Sequence, residues 1–86
     1  MEVKLLPQAD EDLLYWQKSG NKAILKKIAQ LIRAMNEDPY YGIGKPEQLK
    51  HKFTGFWSRR IDREHRIVYE VKEDILTIYS LRGHYD

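Results

Sequence analysis

His65-Arg66-Ile67-Val68-Tyr69-Glu70-Val71 is the stretch on which the fold turns. Ile67, Tyr69 and Val71 alternate with Arg66, Val68 and Glu70 at the two-residue period of a strand, so one face is core-like and Arg66 projects from the other. His65 alternates onto the Ile67 and Tyr69 face and reads as structural. Asp62 to Glu64 precedes the stretch, Lys72 to Asp74 follows it, and Thr54-Gly55 lies further upstream; each connection is short enough to join antiparallel neighbours. The segments between them read as strands over about 48–54, 56–61, 65–71 and 75–81. Within 56–61 the alternation leaves open which of Arg59 and Arg60 faces the same groove as Arg66.

Upstream the period changes. Ile24, Ile28, Leu31, Ile32 and Met35 form the apolar stripe of a helix over about 22–36. Ala9, Leu13 and Trp16 mark a shorter helix over about 7–18, with Pro7 suited to its first turn and Gly20 to its end. Asp10, Glu11 and Asp12 read as carboxylates complementing the positive end of that helix. Lys22, Lys26, Lys27 and Arg33 lie off the second stripe and read as a solvated outer face. Residues 2–6 form a short first strand, and Pro39, Gly42, Gly44 and Pro46 make 38–46 a loop. The expected order is a strand, an αα-hairpin and a run of antiparallel strands in one domain over residues 1–86.

A chain of 86 residues, 42% hydrophobic and 33% charged, has the profile of one small globular domain. Its modest core favours a dimer or a tight partner. With no cysteine there is no disulfide framework, thiolate nucleophile or cysteine zinc cluster, which points to the cytoplasm. The acidic start does not fit a signal peptide, and no window approaches the roughly 18 apolar residues of a membrane span. The net charge of +2 is unevenly spread: residues 45–66 hold seven bases against three acids, a basic stretch with aromatics in it. Such clustering is a nucleic-acid signal.

Gly42-Ile43-Gly44-Lys45 lacks the spacing and the hydroxyl residue of a phosphate-binding P-loop, since Pro46 follows the lysine. His51, His65 and His84 are too far apart for a local metal-ligand pair, so neither metal nor cofactor is expected. No nucleophilic serine elbow occurs. What remains is Glu47, Lys50-His51-Lys52, Arg59-Arg60, His65-Arg66 and Arg82-Gly83-His84-Tyr85. A carboxylate, guanidinium groups, imidazoles and a phenol are the parts needed to cut RNA without a metal: a base for the ribose 2′-OH, a cation for the charged transition state, and an acid for the departing 5′-oxygen. Their separation in sequence leaves open whether they meet.

The same residues resemble a known family. Gly44-Lys-Pro-Glu-Gln-Leu-Lys-His51, Gly55-Phe-Trp-Ser-Arg-Arg-Ile61, Glu64-His-Arg-Ile-Val-Tyr69 and the closing His84-Tyr85 are similar to the YoeB toxins of the RelE/ParE superfamily, and the likeness extends upstream to Leu14-Tyr-Trp-Gln17 and Lys26-Lys-Ile28. The resemblance implies an α+β fold, two N-terminal helices packed on a twisted antiparallel sheet. It also implies a ribosome-dependent mRNA endonuclease that cuts in the 30S A site and inhibits translation. A YefM-like antitoxin would neutralise it, operator DNA would be met only through that antitoxin, and a homodimer is expected. Carried over by position, Glu47 is the candidate general base, Arg66 the transition-state cation and His84 the candidate acid, with Tyr85 stacking on or orienting a base. Lys50, His51, Arg59 and Arg60 would hold RNA phosphates, while Trp57 reads as a core or dimer contact. Gln48 stands where relatives often carry proline, expected to loosen the loop holding Glu47, and Asp86 follows the tyrosine at which relatives commonly stop. Which of Glu47 and His84 is the base stays open. A non-catalytic RNA- or ribosome-binding module, and a corepressor acting on DNA with its antitoxin, are the competing readings.

Overall fold

The computed structural model describes residues 1–83. Strand β1 (Glu2–Leu5) leads into α1 (Pro7–Ser19), then α2 (Lys22–Glu37), β2 (Glu47–Gln48), β3 (Trp57–Arg60), β4 (Arg66–Lys72) and β5 (Ile75–Ser80). Pro7 opens α1, where its missing N–H would have no helical partner anyway. Gly20 ends the helix in the left-handed conformation, at φ 69°, and Asn21 caps α2 by accepting from the Ile24 amide at 3.1 Å. The α2 stripe follows the reading: Ile24, Ile28, Leu31 and Met35 are buried, and Ile32 is half-buried against them.

The sheet runs β1-β5-β4-β3-β2. Four strands are antiparallel, but β1 lies parallel to β5, with Leu5 opposite Ile78, so the sheet is mixed rather than wholly antiparallel. The exception follows from the chain path: Leu6 donates to the Ile78 carbonyl at 2.9 Å, and α1 turns back from there across β5. Glu73 and Asp74 close the β4–β5 hairpin with φ of 53° and 62°, the two left-handed residues of a type I′ turn. Both helices cover one face of the sheet, where Ile67, Tyr69, Leu76 and Ile78 are fully buried against Ala9, Trp16, Ile28, Leu31 and Met35.

The expected strand over 48–54 is corrected. Only Glu47 and Gln48 pair with β3, opposite Ser58 and Trp57. Leu49 is buried and donates to the Phe56 carbonyl. The chain then leaves the sheet through a 3-10 turn, His51–Phe53, because His51 adopts φ 59°, which no strand accommodates.

Candidate active site on the open face of the sheet

Cross-strand pairing builds the site. Glu47 on β2, Ser58 on β3 and Val68 on β4 form one row, and Arg60 opposite Arg66 forms the next, all on the face away from the helices. Arg66 Nη1 donates to Glu47 Oε2 at 2.9 Å and to Ser58 Oγ at 3.1 Å. The Arg66 side chain is 15% exposed and Glu47 62%, so the cation is held from beneath while the carboxylate stays open to a substrate. Two residues from distant segments of the sequence, whose meeting the sequence left open, thus come together, and Ser58, which the sequence reading passed over, is the hydroxyl between them. Its signal was its register, two residues before Arg60 on the same face. Beside the row, Phe53, Phe56 and Tyr79 form an aromatic cluster, their ring centroids 5.9 to 6.1 Å from that of Tyr79.

Lys50 and His51 are exposed on the segment that leaves β2, close in sequence to Glu47. Arg60 is exposed and has no ion-pair partner among the described residues. It lines a groove of about 380 Å³ with Lys27, Gly44, Lys45, Ile61, Asp62 and Arg63. Lys45 and Arg63 belong to the basic stretch of the sequence, but Lys27 comes from the α2 face that had read as solvated.

Arg59 is corrected. It was expected to hold phosphates, yet it pairs with Ile67 on the helix-facing side and is fully buried. Its Nε donates to Tyr69 Oη at 3.2 Å, and its terminal nitrogens donate to the Ile43, Tyr41 and Asp38 carbonyls. Tyr69 Oη in turn donates to the Pro39 carbonyl at 2.6 Å. Burial pushes the Tyr69 phenol above its ordinary range, against the opposing pull of Arg59. This pair anchors the 38–46 loop that delivers Glu47. Trp57, half-buried, packs on the core and meets the Tyr40 ring at 4.9 Å.

His84 and Tyr85 lie outside the described residues. Their root does not: the Arg66 amide donates to the Gly83 carbonyl at 2.8 Å, and the Gly83 amide donates to His65 Nδ1 at 3.0 Å. The residue before His84 is therefore fixed beside Arg66, and His65 is structural, as read. Asp12 is a further surprise. Rather than decorating the helix end, it is buried, 2% exposed, and accepts from the Leu81 amide at 2.9 Å. Its spacing, three after Ala9 and four before Trp16, places it on the buried stripe. No group of three or more His, Cys, Asp or Glu residues able to hold a metal ion occurs among the described residues, and no described helix is long and apolar enough to cross a membrane.

Two helices on one face of a five-stranded sheet, with an arginine–carboxylate pair on the other, define a small α+β toxin fold, and a solved YoeB/ParE toxin from Agrobacterium tumefaciens superposes with a TM-score of 0.94 at 38% identity, covering 99% of this chain and 100% of its own. Residues 6–85 match the family described as the YoeB-like toxin of bacterial type II toxin-antitoxin systems, and the chain belongs to that family. Toxin YoeB of Escherichia coli K12 is 53% identical over 75 residues, 87% of this chain and 88% of that protein. A Staphylococcus aureus YoeB, solved in complex with YefM, has a TM-score of 0.89 at 43% identity over 99% of this chain and 98% of its own, and was also solved as a dimer, with a TM-score of 0.90 at 42% identity over the same shares.

Proposed function

We propose that this toxin is a metal-independent endoribonuclease that cuts mRNA in the ribosomal A site and so inhibits translation in the cytoplasm. The observation that carries the reading is the Glu47–Arg66 contact at 2.9 Å on the open face, with Gly83 hydrogen-bonded to the Arg66 amide beside it. A carboxylate and a guanidinium in contact supply two of the three groups that transesterification needs. Glu47 takes the proton from a ribose 2′-OH; the oxygen attacks the adjacent phosphorus; Arg66 balances the charge gathering on the non-bridging oxygens; and His84 gives a proton to the 5′-oxygen as its bond to phosphorus breaks. The products are a 2′,3′-cyclic phosphate and a 5′-hydroxyl. Tyr85 orients or stacks on a base, while Lys50, His51 and Arg60 contact phosphates along the rim.

Likeness to the S. aureus complex and dimer supports a YefM-like antitoxin as partner and a homodimer as the assembled form. Operator DNA is then reached through the antitoxin. A basic face of this kind is quenched by an acidic segment that folds as it binds. The test is a set of folded single variants assayed on ribosome-bound mRNA. Glu47→Ala, Arg66→Ala and His84→Ala should each lower the cleavage rate at least about 100-fold, the scale of losing one transition-state donor or proton-transfer group. Wild-type rates in all three would sink the assignment.

A further inference from the structure

Three consecutive residues beyond β5 are each tied down, and most of the ties run to α1. Leu81 donates to Asp12 Oδ2 and accepts from Trp16 Nε1, both at 2.9 Å. The Arg82 guanidinium lies 4.0 Å over the Tyr15 ring, with its Nε 3.9 Å from Asp12 Oδ1. Gly83 is held through His65 Nδ1 and the Arg66 amide, and the His65 ring itself stands edge-on against Trp16, with centroids 4.9 Å apart. A buried carboxylate holds this segment, and burying a charge is costly unless hydrogen bonds offset it. Gln8 Nε2 satisfies the other Asp12 oxygen at 3.0 Å.

We propose that Asp12, Trp16 and His65 are positioning residues: they form a latch, on helix α1 and just before β4, that holds residues 81–83 and so fixes, beside Arg66, the point from which the chain continues to His84 and Tyr85. This rests on the nuclease reading above. The latch touches neither substrate nor the reacting atoms and acts only through where it puts the end of the chain. Displacements of about 1 Å at a reacting group cost on the order of 100-fold in rate.

The test is a double-mutant cycle on the full-length toxin, in single-turnover cleavage of ribosome-bound mRNA. Asp12→Ala should lower the maximal single-turnover rate about 10- to 100-fold with the half-saturating concentration within about twofold, and Asp12→Asn, which keeps an acceptor for the Leu81 amide, should restore most of the loss. In a His84→Ala/Tyr85→Ala background, Asp12→Ala should add no further loss, because the groups it places are gone. Trp16→Phe, which keeps the ring and removes only the N–H, should show the same pattern more weakly and covers the case in which Asp12→Ala does not fold. Equal losses in both backgrounds, or no loss in the wild-type background, would overturn the latch. Undiminished cleavage by the His84→Ala/Tyr85→Ala chain would instead overturn the nuclease site on which it rests, so the two failures are distinct.

Discussion

Arg59 and Arg60 sit side by side in β3, and the pleat sends them to opposite faces: Arg59 into the core against Ile67, Arg60 outward beside Arg66. Their sequence carries no hint of this, because both have the same chemistry and Arg59 itself stands where the core face of the strand, between Trp57 and Ile61, would otherwise be apolar. The buried guanidinium is matched by carbonyls and the Tyr69 hydroxyl rather than by a carboxylate. That network makes Tyr69 the residue whose titration should be visible in stability. Its pKa is raised in the folded state above the ordinary value of 10.0, chiefly by burial, so folding favours the neutral phenol. Its contribution is fully present below about pH 10 and is lost as pH rises through the folded-state pKa. Thermal melts across the alkaline range should show this decline in the wild type and a flatter profile in Tyr69→Phe. At neutral pH the variant should lose about 1–3 kcal/mol, since the Pro39 carbonyl and Arg59 Nε lose their partner.

Elements were legible wherever a periodic face could be seen. The α2 stripe and the alternation of β4 each repeat enough to declare their type, and the structure moves their bounds by no more than one residue. The segment after Gln48 misled because Leu49 followed by Lys50, His51 and Lys52 contains one apolar anchor and no alternation. A single left-handed residue, His51, converts it into a turn. The 38–46 loop was visible as a loop, but what fixes its shape was not. Gly44 has φ 83°, its carbonyl accepts from the Arg60 amide, and a Cβ there would lie 2.8 Å from a Leu31 methyl and 3.2 Å from the Arg60 carbonyl. Gly44→Ala should therefore destabilise the fold by about 1–3 kcal/mol. It should also shift β2 and lower cleavage beyond what the stability loss explains, a difference that denaturant melts and initial rates on the same sample would reveal.

At the scale of the whole molecule, the sheet divides the work. The helices cover one face and complete the core; the other face carries Glu47, Ser58, Arg60 and Arg66, with the basic groove alongside. Segments far apart in sequence converge there because β3 and β4 occupy the middle of the sheet, while the chain returns along β5 and meets Arg66 at Gly83. The resemblance carried by the motifs assigned Glu47 and Arg66 a role each, but left their contact to be found in the fold. Neither Asp12 nor Ser58 stood out, since a buried carboxylate inside an acidic run and a serine within a strand look ordinary until their partners are placed. The direct test of the central claim is the chemistry of the cut: end-labelled mRNA on translating ribosomes, incubated with the toxin, with the product ends identified. Cleavage at A-site codons leaving a 2′,3′-cyclic or 3′-phosphate and a 5′-hydroxyl is the predicted result, and binding to ribosomes without cleavage, or products bearing a 5′-phosphate and a 3′-hydroxyl, would contradict it.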